Sequence, residues 1–250
     1  MQIDLLASVG LTACAAIAVS TLAIGFGENG VDRIRIASWL SAWFVLVTVM
    51  ASTEILSYPY GLGAPGLGVA VVVPIIVLVA SVLRSPSLRR ALQRIPLTTL
   101  IGVNTIRILG VTFLILYGFG YLPAPFAPVA GWGDILTGVA AAPLAWLVYR
   151  RGASARPMVW LWNTFGLLDL VAAIGLGAVS APGPTQLIFA EPGTTIMTTL
   201  PWLLIPGFLV PLLASIHLAI YYRLINSAPL TVKESPSHAH PAVERSHDSD

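Results

Sequence analysis

Apolar residues along this chain run in blocks of membrane-spanning length, and nearly every charged residue falls in the short segments between them. The blocks cover about 4 to 26, 37 to 56, 67 to 83, 97 to 119, 130 to 149, 158 to 179 and 197 to 222. Each approaches or exceeds the ~20 residues that a helix needs to cross a hydrocarbon core of about 30 Å, and in lipid a helix satisfies its own backbone polar groups. The pattern predicts an all-α, polytopic bundle of seven transmembrane helices over residues 1–226. The third block is the shortest and contains Pro74. From 227 to 250 the chain turns polar, with Pro229, Pro236 and Pro241, and too little apolar content to pack, so a disordered tail is expected there.

Charge orients the bundle. Arg33 and Arg35, then Arg84, Arg89, Arg90 and Arg94, then Arg150, Arg151 and Arg156, then Arg223 follow alternate blocks, and the opposite connections hold no Lys or Arg. By the positive-inside rule the N-terminus lies outside and the C-terminus in the cytoplasm, in a plasma (inner) membrane. The outer connections, Tyr58 to Pro65, Leu122 to Pro128, and Ala181 to Pro184 leading into Glu191–Gly193, are short or rich in Pro and Gly, too small for a folded ectodomain. Asp4 stands where a secretory signal would carry a basic residue, so the first block is read as retained. Leu11-Thr-Ala-Cys14 matches the small-residue pattern before a lipidated cysteine, but the apolar run continues beyond it, so Cys14 is read as a small helix residue.

Composition narrows the function classes. Charged residues make up 10% of the chain, against roughly a quarter in a soluble domain, and the mean hydropathy is +0.85. The net charge of +2 resides in loops and tail, reporting topology rather than a nucleic-acid partner. A lone cysteine excludes an internal disulfide and a multi-thiolate metal site. There is no Gly-rich phosphate loop, HExxH pair or GxSxG elbow. The only lysine, Lys233, lies in the tail, which excludes a retinal Schiff base, and bis-histidine haem would need a second intramembrane histidine. The tail histidines His238, His240 and His247 read as solvated. No metal and no cofactor are expected. Trp39, Trp132, Trp160 and Trp202 fall near block ends, where aromatic belts form.

The residues that break the apolar pattern are the candidates for chemistry. Arg107 sits roughly 16 Å into the fourth block, near the midplane, and Asp169 is similarly deep in the sixth, which makes it the preferred counter-charge. Asn104 shares the face of Arg107, Asn163 and Gly166 flank Asp169, and the fifth block carries Asp134 with Thr137, Gly138, Ala141, Ala142 and Ala145, a stripe that permits close helix approach. Shifted by 59 residues, Asn104 and Thr105 fall on Asn163 and Thr164, the suggestion of a repeated helix hairpin. In the seventh block Pro206 and Pro211 deprive Trp202 and Gly207 of helical donors, predicting a kink that would serve as a gate. Block boundaries place Glu54 and Asp134 outward, Arg107 and Asp169 centrally, and Asn163, Asn104 and His217 inward, with Asp134 and His217 roughly 15 Å apart in level. That order predicts a ligand or proton path. The expectation is a protein that binds or transports a small solute or protons through a polar seam between spans four and seven. The alternatives are a non-catalytic membrane subunit or assembly factor with a protein partner or a second copy of itself, and, less expected, an intramembrane enzyme using Asp and His as acid and base.

The orientation has a direct test. A reporter active only in the cytoplasm is expected to work when fused after Arg90, Arg151 or Asn226 and to fail after Ala64, Pro125 or Pro184. Activity after Pro125 with silence after Arg151 inverts the topology.

Overall fold

In the computed structural model, which describes residues 2–226, the chain is helical throughout, with no strand among the described residues. The expected tail, 227–250, with Lys233, His238, His240 and His247, lies outside the described residues. Helices α1 (Gln2–Phe26), α2 (Gly30–Ser52) and α3 (Gly63–Arg84) lead into a short α4 (Pro86–Arg94). The next rod is composite: α5 (Leu97–Gly102), a 3-10 segment Val103–Gly110, and α6 (Val111–Gly118). Helix α7 (Phe126–Arg151) joins α8 (Arg156–Val179) through a 3-10 turn, Gly152–Ala155, and a π segment Ile205–Leu209 opens into α9 (Val210–Asn226).

Several of these helices are long and apolar enough to cross a membrane: Ile3–Phe26, Gly30–Ser52, Gly63–Arg84, Leu97–Gly118 and Ile205–Asn226 qualify, as does the stretch Phe126–Val179 that holds α7 and α8. The side-chain distribution is inverted relative to a soluble domain. Leu5, Leu6, Val9, Val45, Val69, Val72 and Leu161 point outward, whereas Asn104, Arg107, Asn163, Asp169 and His217 are buried. That arrangement is consistent with a helical membrane bundle, since lipid solvates the apolar exterior and polar side chains find partners only inside. Among the apolar spans Ile205–Asn226 is the most enclosed, its α9 packed against α3, α5 and α8, with Leu212, Leu213, Ile216, Ile220 and Leu224 all buried.

Several block boundaries shift, three of them for a clear local reason. The second helix begins at Gly30 rather than 37, because Asn29 caps it: its side-chain oxygen accepts from the Asp32 N–H at 2.9 Å. It ends at Ser52 rather than 56, and Glu54 adopts a left-handed backbone (φ 54°) that no helix continues, so Glu54 lies in an exposed turn and not on a span. The last helix starts at Ile205 rather than 197, since the prolines at 201 and 206 lack the N–H groups that an earlier start requires. The carbonyl of Trp202 is instead satisfied by Ile205 N–H at 3.0 Å, in a tighter turn. Trp202 itself is enclosed, 1% exposed, and belongs to the core and not to an aromatic belt; Trp39, Trp132 and Trp160 do face outward.

The basic loops also hold the bundle together. Ser85 caps α4 by accepting from Leu88 N–H at 3.3 Å, and Pro86 occupies its first turn. Arg223, near the end of α9, donates to the carbonyl of Leu92 at 2.8 Å and to that of Ile95, while Arg156 donates to the Leu224 carbonyl. Arg94 pairs with Glu28 in the α1–α2 turn, and the hydrogen-bonded guanidinium holds that carboxyl below the usual carboxylate range. Both side chains of this pair are exposed, so it contributes little to stability.

Removing the α2 cap is expected to fray the start of that helix. Asn29→Ala should cost about 1 kcal/mol and speed amide exchange over Gly30–Arg33, with the rest of the bundle protected as before. Unchanged exchange there would discount the cap.

Candidate functional site

The 3-10 segment Val103–Gly110 carries the arginine, and its winding reflects how closely it meets α7. A 3-10 run of eight residues is long, since its hydrogen bonds are poorer than those of an α-helix. Here the neighbouring backbone decides. A Cβ at Gly138 of α7 would lie 2.6 Å from the Ile108 nitrogen and 3.0 Å from the Arg107 carbonyl carbon. A Cβ at Gly131 would come within 3.2 Å of the Gly110 carbonyl oxygen, and one at Gly110 would overlap Asp134. Glycine at all three places lets the two backbones touch, and the arginine springs from that seam. On α7 the buried face runs through Gly131, Thr137, Gly138 and Ala141, with Asp134 partly buried beside them, while Ala142 of the expected stripe points outward.

The Arg107 side chain, 1% exposed, is held on four sides. Its Nε–H donates to Asp134 Oδ1 at 2.7 Å, and one Nη2 hydrogen goes to Asp169 Oδ2. Its Nη1 donates to the Gly166 carbonyl at 3.0 Å and to His217 Nε2, also at 3.0 Å. A guanidinium only donates, so His217 Nε2 accepts, and the ring hydrogen sits on Nδ1. That hydrogen goes to Asn163 Oδ1 at 2.8 Å, and the Asn163 amide nitrogen donates to the His217 carbonyl at 3.1 Å. One assignment of hydrogens therefore accounts for every one of these hydrogen bonds, with His217 neutral. Trp162 covers the imidazole, ring centroids 5.3 Å apart, and donates to the Thr137 carbonyl at 3.0 Å.

Glycine shapes the remaining walls. A Cβ at Gly133 would overlap the Asp169 carboxylate, and one at Gly166 would lie 2.6 Å from His217 Cε1 and 2.9 Å from Thr137 Cγ2. Gly166 is also the position 59 residues beyond Arg107, so the two segments related by that offset meet in a direct hydrogen bond.

Of the residues singled out in the sequence, Arg107, Asp134, Asp169, Asn163 and His217 converge, and two do not. Asn104 is buried but donates within its own helix, to Leu100 O at 2.9 Å, and its Oδ1 has no hydrogen-bond partner among the described residues. Glu54 is remote, in its exposed turn. The expected separation in level between Asp134 and His217 also disappears, because one guanidinium touches both. Helix α7 begins four residues earlier than the block and α9 ends four residues later, moving each residue about 6 Å toward the middle and removing about 12 of the ~15 Å. Pro206 lies in the π segment and Pro211 in the first turn of α9, immediately above the cluster in chain order.

The surroundings are sparse. A cavity of about 30 Å³, room for about two waters, is lined by Arg107 and Asp134 together with apolar side chains from α1, the 3-10 segment, α6, α8, the π segment and α9. A second, apolar cavity of about 60 Å³ lies between α3 and α8. Among the described residues no three His, Cys, Asp or Glu side chains are grouped as metal ligands would be.

Residues 64–225 match the family described as Domain of unknown function (DUF8737), and the chain belongs to that family. The matched segment contains every residue of the Arg107 cluster. Comparison with curated proteins and with solved structures gives no match.

Removing one member of the cluster leaves the others uncompensated. Arg107→Leu is expected to cost on the order of 3 to 5 kcal/mol, and Arg107→Leu with Asp169→Leu to cost less than the sum of the two single changes. Thermal unfolding in detergent measures both, and strict additivity would show that the charges are not coupled. Gly166→Ala should destabilise by roughly 1 to 3 kcal/mol through its contact with His217, whereas Gly68→Ala, whose Cβ meets nothing within 4 Å, should be nearly neutral.

Proposed function

We propose that the bundle crosses a plasma (inner) membrane seven times, N-terminus outside and C-terminus cytoplasmic, and that the Arg107 cluster is a proton-binding site used to bind or move a small solute or protons. Division of Phe126–Val179 at its 3-10 turn into α7 and α8 supports seven spans, and the basic loops support the orientation.

One observation carries the functional reading: the cluster opposes a single guanidinium to two carboxylates. With both aspartates ionised and His217 neutral, its formal charge is −1. A helix-registering ion pair needs only one acid, and an uncompensated charge inside an apolar bundle is expensive. One proton, or one cation in its place, brings the cluster to neutrality, and its gain or loss is the elementary step of the proposed function. Asp134 is the acid through which exchange proceeds, because its side chain is 14% exposed and lines the 30 Å³ cavity, against 5% for Asp169. His217 and Asn163 hold the guanidinium in place. Pro206 and the π segment form the wall most able to move, since proline and the wide turn leave it with the fewest regular helical bonds.

A second reading has its own support. Nearly every donor of Arg107 is satisfied within the protein and the adjoining cavity is small, which also suits a membrane subunit or assembly factor whose cluster only locks helices together.

Vesicle reconstitution separates them. Under the first reading the protein carries a pH-dependent proton or solute flux, which Asp134→Asn and Asp169→Asn abolish while the helices stay folded. A folded preparation without flux across a broad solute panel, whose mutants lose a partner protein in pull-downs, would replace the first reading by the second.

A further inference from the structure

The two cavities share walls. Phe113, Ile205 and Val210 line both the apolar cavity between α3 and α8 and the smaller one that reaches Arg107 and Asp134. Behind that partition lies the cluster, and in front of it lies a slot whose rim, Leu67 and Gly68 on α3 with Ala173 and Gly177 on α8, is half-buried. Rim glycine keeps the slot open: a Cβ at Gly68 would meet nothing within 4 Å. Two of the shared walls, Ile205 and Val210, belong to or adjoin the π segment, so the partition is built on the least regular backbone of the bundle.

Resting on the proton-binding reading of the cluster, we propose that the two cavities together bind an amphiphilic organic cation, with its apolar chain between α3 and α8, its ammonium group at Asp134, and the partition of Phe113, Ile205 and Val210 parted between them. Three features select that chemistry. The slot is apolar and about 60 Å³ in volume, space for roughly four to six water-sized groups, which fits part of a single hydrocarbon chain and not a fused ring system. With both aspartates ionised the charge at its inner end is −1, so the site takes up a cation, a proton or an ammonium, in preference to an anion. The arginine offers little to an anion, because four of its hydrogen bonds are already made inside the protein, whereas Asp134 has an oxygen that Arg107 does not engage. Binding is an exchange that balances in charge: the ammonium enters as R–NH₃⁺, the one proton that neutralises the two carboxylates against Arg107 leaves, and the cluster stays neutral.

Full-length protein in phosphatidylcholine nanodiscs, titrated calorimetrically with dodecylamine after subtraction of empty nanodiscs, tests the proposal. Dodecanol and dodecanoate serve as neutral and anionic counterparts of equal chain length. The expected result is one saturable site for dodecylamine, with about one proton released per amine, read from titrations in buffers of different ionisation enthalpy. Asp134→Asn should weaken binding about tenfold or more and abolish the proton release, and Gly68→Leu, which fills the slot, should weaken it by a similar factor. Dodecanol should bind weakly and dodecanoate not measurably. Equal binding of all three amphiphiles overturns the proposal, and so does full affinity in Gly68→Leu. Should Asp134→Asn fail to fold, the proton count and Gly68→Leu still decide. Amine binding with proton release but without flux in vesicles would refute transport and leave this site standing, and flux without amine binding would do the converse.

Discussion

Everything in this bundle is arranged around the difficulty of keeping a guanidinium in an apolar interior. Arg107 is anchored in the middle of its rod, too deep for its side chain to reach water along the helix, and the bundle surrounds it with acceptors instead. Those acceptors come from three other helices, α7, α8 and α9, so their relative positions are all referred to one planar group. The fork of the guanidinium imposes directions as well as charge. A lysine would supply the charge without the geometry, reaching one carboxylate and leaving the imidazole and the Gly166 carbonyl without donors.

The glycines follow from the same constraint. Planar recognition at hydrogen-bond distance requires the helices to be closer than ordinary side chains permit, and Gly110, Gly131, Gly133, Gly138 and Gly166 supply that closeness. The 3-10 winding around Arg107 is the backbone's accommodation to it. The cluster thus combines rigid walls on the α7 and α8 sides with a more irregular wall at the π segment.

Much of the fold was legible in the spacing of apolar and basic residues, because lipid imposes length and the basic loops punctuate it. Pairing of Arg107 with Asp169 was legible too, since two deep opposite charges in one bundle have few other partners. The convergence of Asp134 and His217 on the same guanidinium was not. Depth had to be counted from helix ends, and hydropathy blurs those ends: α7 starts within a Pro-rich connection and α9 runs past the last hydrophobic turn. Asn104 misled for a different reason. It shares a face with Arg107, but an asparagine can satisfy itself on its own helix, and no periodicity distinguishes that from a bond between helices. The small helix α4 carried a readable signal, Ser85 followed by Pro86 at its start, hidden by its position in a charged loop.

The π segment sets the angular phase of α9. A π turn carries one more residue than the α turn it replaces, and each residue of an α-helix advances its face by about 100°. Everything beyond Leu209 is therefore rotated by about that angle relative to a continuous α-helix begun at Ile205. His217 faces Arg107 only in this phase. Rewinding the segment to α would turn the imidazole away from the cluster, carry the last turn with Arg223 off the carbonyls of Leu92 and Ile95, and so couple the middle of the bundle to its basic surface as a single torsional element.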